Sequence, residues 1–213
     1  MLIIRTGSDG VHIWDLWCNV KLRSPNGAGE RGATTALTWV RRDDEVEDGL
    51  VYGTQGGYIT SWKEIRAGET SVSCHHTQVE EPLMKLTQES AFEEVYSAVI
   101  ARPSEIMSLA FDTASNYLAA ANREGVVQLY AVEENMRLRN IFSVALGRDD
   151  IPRAVAFGQM GGNTRTLLVF GLYRGTMYVK FTFFIMVKSD GTSWTLRSSD
   201  GGVDNTIATG TMM

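Results

Sequence analysis

One pattern recurs along this 213-residue chain and restricts its fold more than any other feature: an apolar run, a glycine-bearing turn and a second apolar run. It occurs at residues 2–15, 50–63, 117–130 and 167–179, with Gly10, Gly57, Gly125 and Gly175 in the turns. Runs this short are strands rather than helices, and the glycine supplies the positive φ that a tight reversal needs, so each copy is predicted to be a β-hairpin. Three hairpins follow another short strand pattern, at 35–39, 106–111 and 153–157. In these, Leu37/Trp39, Leu109/Phe111 and Val155/Phe157 stand two residues apart and so share one strand face.

Spacing turns the similarity into a repeat. Successive turn glycines are 47, 68 and 50 residues apart. Two of these steps lie near the ~40–45 residues of a four-stranded propeller blade, and the long step holds an insertion of roughly twenty residues relative to that period.

The stretch Ser8-Asp9-Gly10-Val11-His12-Ile13-Trp14-Asp15 resembles the end of a WD40 repeat, including the Trp-Asp dipeptide. Gly57 to Trp62 and Gly125 to Tyr130 keep a five-residue step from turn to aromatic; Gly10 to Trp14 is one residue shorter. The resemblance covers residues 1–179 and rests on recurrence of the pattern. It implies an all-β fold, a partial WD40-like β-propeller of about four four-stranded blades with the first blade incomplete. It also implies protein–protein interaction through the propeller's top face and rims. The sequence departs from the family in lacking the Gly-His dipeptide, since its histidines are His12, His75 and His76. The turn acid survives as Asp9 and Glu124, while Gly56 and Arg174 replace it elsewhere. The family's acid–histidine–hydroxyl–tryptophan network cannot assemble in full, so these blades are expected to rely on apolar packing.

Met1 falls almost at the start of a second-strand pattern, so the first blade is expected to lack its innermost strand. The count is four partial blades, where common propellers close with about 4–8 complete ones, and an open arc exposes strand edges. The chain is therefore expected to be a piece of a larger propeller, with self-association through open blade edges as a further expectation.

Two regions fit the repeat poorly. Residues 91–100 match helical spacing, but the blade pattern favours an outer strand there, after an inserted loop at about 68–90. Residues 180–213 form an atypical C-terminal strand and tail. Lys180 to Val187 has strong β-propensity and little charge, an aggregation-prone profile when exposed. An ordinary fourth strand with a frayed tail and an altered junction near 180 are equally compatible with it.

Chemistry is sparse. The Gly53–Gly57 stretch suggests a phosphate loop but sits inside a hairpin rather than before a helix. No serine-elbow, Walker, His-Glu-x-x-His or Cys-x-x-Cys motif is present, so no catalytic, cofactor or metal residue is assigned and the chain is expected not to be an enzyme. A propeller enzyme, hydrolase or oxidoreductase, with its site in the channel is the competing reading, and a non-functional fragment of a longer product is the third. Cys74, His75 and His76 are metal-capable types, but strand alternation would bring only Cys74 and His76 together. The run Arg41 to Asp48 is expected to be a solvated hairpin tip, since its spacing matches no calcium loop. Arg148, Asp149 and Asp150 form a similar charged connector. His12 is expected at a surface or blade interface, and Trp14, Trp39 and Trp62 in inter-blade cores; Trp17 and Trp194 carry no assignment.

The formal charge of −5, from 20 basic and 25 acidic residues, disfavours nucleic-acid and anionic-membrane partners. The start of the chain lacks a basic n-region, and two cysteines cannot build a disulfide framework; both favour an intracellular setting, cytoplasmic before nuclear. The sequence-level expectation is a non-catalytic interaction scaffold with a protein partner whose identity the residues do not give.

Overall fold

The recurring turns close hairpins. In the computed structural model, which describes residues 2–8, 10–15, 20–22, 30–45, 47–65, 92–146, 150–160, 164–173, 176–187, 193–200 and 203–211, every regular element but one 3-10 turn is a β-strand. β1 (Leu2–Gly7), β2 (Gly10–Asp15) and β3 (Val20–Leu22) form a three-stranded antiparallel sheet. β4 (Thr34–Val40), β5 (Gly49–Thr54), β6 (Tyr58–Glu64) and β7 (Phe92–Val99) form the second, in chain order. β8 (Ile106–Asp112), β9 (Tyr117–Asn122), β10 (Val126–Val132) and β11 (Leu138–Ala145) form the third. β12 (Asp150–Met160), β13 (Thr164–Tyr173), β14 (Thr176–Val187), β15 (Ser193–Asp200) and β16 (Val203–Thr211) form the fourth. Residues 92–99 are thus a strand, as the blade pattern favours, and the chain beyond Val187 adds two strands to the last sheet, giving it five. The expected loop at 68–90 lies outside the described residues.

Gly57 has φ 80° and Gly125 φ 78°, the left-handed region in which a side chain is strained. At Gly57 a Cβ would also sit 2.7 Å from the Ser104 nitrogen, so the turn and the neighbouring 100–105 connection can meet only over glycine. The sheets repeat in finer detail than their turns. The register of the innermost pair shifts around Thr35, Met107 and Arg153, each two residues before Leu37, Leu109 and Val155. The third and fourth strands shift between Ser61/Trp62 and Leu129/Tyr130, four and five residues past their glycines. Bulges at matching places are built-in features of a blade rather than accidents of a loop.

Side chains alternate across each strand, so each central sheet feeds two cores. Leu118, Ala120, Val126, Tyr130 and Val132 meet Val40, Val51, Ile59 and Ile100 between the second and third sheets. Tyr117, Ala119, Ala121, Val127 and Leu129 meet Val155, Leu167 and Val169 between the third and fourth. Val11 and Ile13 meet Leu50, Tyr52, Trp62 and Phe92 between the first and second. Apolar burial on both faces of the central sheets is the main stabilising term, at ~25 cal/mol per Å² of apolar surface. Inner strands adjoin one another: β4 lies beside β8, and β8 beside β12. Polar bonds tie them, Thr35 Oγ1 donating to the Ile106 carbonyl at 2.7 Å and the Val155 amide to Ser108 Oγ at 3.1 Å. β1 touches β4 as β5 touches β8 and β9 touches β12, so among the described residues the first sheet has no strand at the innermost place that β4, β8 and β12 fill. The architecture is a partial β-propeller of four blades, the first incomplete.

Candidate binding surfaces

Antiparallel order sends the connections of a blade alternately to its two ends, and the two ends differ in charge and construction. At one end lie the 55–57 and 123–125 turns and the 100–105 connection. Asn122, fully buried, donates from Nδ2 to the Arg102 carbonyl at 2.8 Å, while its Oδ1 accepts the Val126 amide at 2.8 Å. That clamp holds Arg102 at φ 55°. Arg102, Arg123, Glu124 and Ile151 line a cleft of about 560 Å³ there, and Arg123 pairs with Glu105 at 3.4 Å.

At the opposite end the 41–48 loop of the second blade meets the 3-10 turn Glu134–Met136 of the third. Arg42, in the run expected to be a solvated tip, is only 7% exposed. Its Nη1 donates to the Val132 carbonyl of the next blade, while Nε and Nη2 clasp Asp44. That clasp raises the pKa of the guanidinium and lowers that of the Asp44 carboxyl, because each hydrogen bond favours the charged form. Arg41, Asp43 and Asp44 are exposed as expected, whereas Glu47 and Asp48 are half-buried and Glu45, 14% exposed, is drawn into the neighbouring turn. Glu45 Oε1 accepts the Asn135 amide at 2.7 Å, Lys63 Nζ donates to Asn135 Oδ1 at 2.7 Å, and Ser61 Oγ donates to the Met136 carbonyl at 2.7 Å. Asn135 and Met136 both have positive φ, 57° and 62°. A conformation this costly persists only where its surroundings over-determine it, and three hydrogen bonds plus the burial of Met136 do so here. Sequence reasoning missed this turn, although Asn135 is a residue type that tolerates the left-handed region and so marks a turn. A cleft of about 970 Å³ runs between the turn and β7.

A third feature lies within the second blade. Arg31 makes a bidentate pair with Glu94, both bonds 2.7 Å, and reaches Thr60 Oγ1 at 3.3 Å, while Thr60 shares a hydrogen bond with Ser97. The Arg31 guanidinium lies 5.8 Å from the Tyr58 ring centroid, and the pairing with Glu94 raises its pKa. Polar cross-linking of the strands is therefore present in this blade, but built from an arginine–glutamate fork.

The aromatic residues separate. Trp62 is fully buried and edge-on to Tyr52 at 5.0 Å; Trp39 is 37% exposed beside Phe92; Trp14 is half-buried between His12 and Lys21. His12 is likewise half-buried, on the face of β2 opposite Val11 and Ile13. Gly53 lies in β5 and the turn to β6 is residues 55–57, so the Gly53–Gly57 stretch belongs to a hairpin. Cys74, His75, His76, Asp9, Arg148, Asp149, Arg174 and Trp17 lie outside the described residues, and Asp150 opens β12. Among the described residues no three His, Cys, Asp or Glu side chains gather closely enough to hold a metal ion, and no helix is long and apolar enough to cross a membrane.

Four antiparallel sheets, joined face to face through three apolar cores with their inner strands side by side, define the class: a propeller-like all-β protein. No family model matches the chain, and no curated protein does. Among solved structures it is similar to a chain of the "Crystal Structure of Mitotic Checkpoint Complex", with a TM-score of 0.52 and 15% identity. That likeness covers 98% of this chain and 60% of the other, so this chain spans less than two thirds of that chain's length. At this identity it bears on fold alone.

Proposed function

We propose that the chain is a non-catalytic protein–protein interaction scaffold of the WD40-repeat type, acting inside the cell. The observation that carries this reading is the state of the blade ends. Loops that would be loose by composition are fixed by hydrogen bonds between blades, such as Arg42 to Val132 and Glu45 to Asn135. A surface fixed before binding loses little conformational entropy on docking, which is what a recognition platform needs. The similar chain noted above was solved within a complex, which is compatible with the reading.

Proximity labelling with the tagged chain in cells, followed by co-purification, tests it. A reproducible protein partner that co-elutes with the purified chain is expected. Recovery of no partner, or turnover of a small-molecule substrate by the purified chain, would overturn it.

A further inference from the structure

The hairpin of the third blade ends in a tip that is fastened to the second. The β10–β11 ladder stops at the pair Val132 and Leu138, and the Glu133 amide, bonded to the Arg137 carbonyl at 2.8 Å, closes the base of the tip. Past that base, side chains of the second blade make the bonds across the junction: Glu45 to the Asn135 amide, Lys63 to Asn135 Oδ1 and Ser61 to the Met136 carbonyl. All three can part without breaking a rung of either sheet.

Met136 is the plug. It is 1% exposed and belongs to the core between the second and third blades, although Glu134, Asn135 and Arg137 around it are exposed. Its seat exists because Gly49 has no side chain; a Cβ there would collide with Met136 from Cγ to Cε. An unbranched thioether with three rotatable bonds can leave such a seat and return to it more readily than a branched side chain.

The backbone pulls the other way. Asn135 and Met136 are consecutive and both at positive φ, 57° and 62°, so opening the turn returns the cost of holding two non-glycine residues there. Burial of one methionine and three hydrogen bonds, two of them at the surface, hold the turn closed against that cost. Opposing contributions of similar size are what a two-position element requires.

We propose that the Glu134–Met136 turn is a strap with a dominant closed position and a minor open one. Closed, it fastens the third blade to the second. Open, it swings on the base between Glu133 and Arg137, carries Met136 into solvent and bares an apolar seat beside the cleft that the turn lines. The strap is a property of the fold and holds whether or not the scaffold reading does.

Hydrogen peroxide, added to the whole chain, reports the opening. It transfers one oxygen to the exposed Met136 sulfur and leaves as water, and mass spectrometry counts the sulfoxide formed. Below the unfolding transition in urea, the rate is expected to stay nearly constant, because a local opening exposes little surface. Glu45→Ala is expected to speed it about tenfold, the effect of losing one hydrogen bond to a charged group. Glu133→Ala removes the same charge from the base of the turn, where Glu133 pairs with Arg139 of its own hairpin, and is expected to leave the rate unchanged. Amide exchange followed in parallel is expected to show Asn135 opening while residues 127–131 of β10 stay protected. Oxidation that rises with urea as steeply as exchange at 127–131 would mean that Met136 leaves its seat when the chain unfolds, and would overturn the proposal. Equal effects of the two variants would overturn it as well, since Glu45 would then not hold the turn.

Discussion

Trp62 of the second sheet and Trp14 of the first stand at matching places, each near the end of the strand that follows a turn glycine and each on the face away from the next blade. Trp62 has a sheet in front of it and is 0% exposed; Trp14 is covered only in part, by His12 and Lys21. The strands carry the same pattern, so the difference lies in the neighbour. In a stacked array each repeat is half a core, and an aromatic residue becomes core only when the adjoining repeat completes it. Trp62→Ala is expected to cost about 3–5 kcal/mol, as for other large buried aromatics, and Trp14→Ala about 1 kcal/mol or less. Chemical denaturation of the two variants measures the gap directly. Equal losses would mean that the first sheet's open face is covered in solution.

Glycines on β5 sharpen the same contrast from the other side of the second sheet. Gly49 and Gly53 flank Val51 on the face that meets the third sheet, and a Cβ on either would collide with it. At Gly53 the obstacle is Ile106, at its Cγ2 and its branched Cβ; at Gly49 it is the Met136 side chain, at Cε and Sδ and, 2.8 Å away, Cγ. A β-branched side chain cannot yield, whereas a methionine tip can rotate away. Gly53→Ala is expected to destabilise by about 2–3 kcal/mol and Gly49→Ala by about 1 kcal/mol, within the usual range for overpacking. Thermal melts that reverse this order would show that Ile106 has room to move.

Much of this architecture is legible in the residues because turns and alternation are local. Gly57 and Gly125 announce their hairpins, Leu109/Phe111 announces an inner strand, and Phe92 to Val99 yields to the strand reading although its spacing also suits a helix. What is not legible is whatever depends on the next blade. Trp39 matches the pattern of a core residue and is 37% exposed, and Arg42 sits in an acidic run yet is 7% exposed because its acceptor is Val132, ninety residues away. The binding surfaces are of this second kind, since Glu45, Lys63 and Asn135 come together only after two blades have packed.

The polar fork in the second blade gives a smaller effect. Arg31 and Glu94 are about a quarter exposed, so solvent screens part of their attraction. Arg31→Ala is expected to cost about 1–2 kcal/mol, between a surface pair and a buried one, and to lose most of its effect when combined with Glu94→Ala. A double-mutant cycle in low and high salt measures the coupling. Full additivity would show that the fork only fills space.

The smallest effects come from two tyrosines that close neighbouring junctions. Tyr52, between the first and second sheets, has a buried hydroxyl within electrostatic reach of Thr60 and Arg31 but in hydrogen-bonding geometry with neither. Tyr130, between the second and third, donates to Gln128 Oε1 at 2.6 Å. Burial raises both pKa values above the usual one for a phenol. Tyr130→Phe is therefore expected to lose about 1 kcal/mol at neutral pH, whereas Tyr52→Phe, which removes an unsatisfied group, is expected to be neutral or stabilising by up to about 1 kcal/mol. A folded pKa above the unfolded one means that the unfolded chain loses its proton first. The associated stability is intact below about pH 10 and declines as pH rises through the folded values. Both phenylalanine variants should flatten that alkaline decline in denaturant melts run from pH 8 to 11. If Tyr52→Phe instead destabilises at neutral pH as much as Tyr130→Phe does, the Tyr52 hydroxyl bonds to Arg31 or Thr60 in solution, and the junction with the first sheet is as well satisfied as its neighbour.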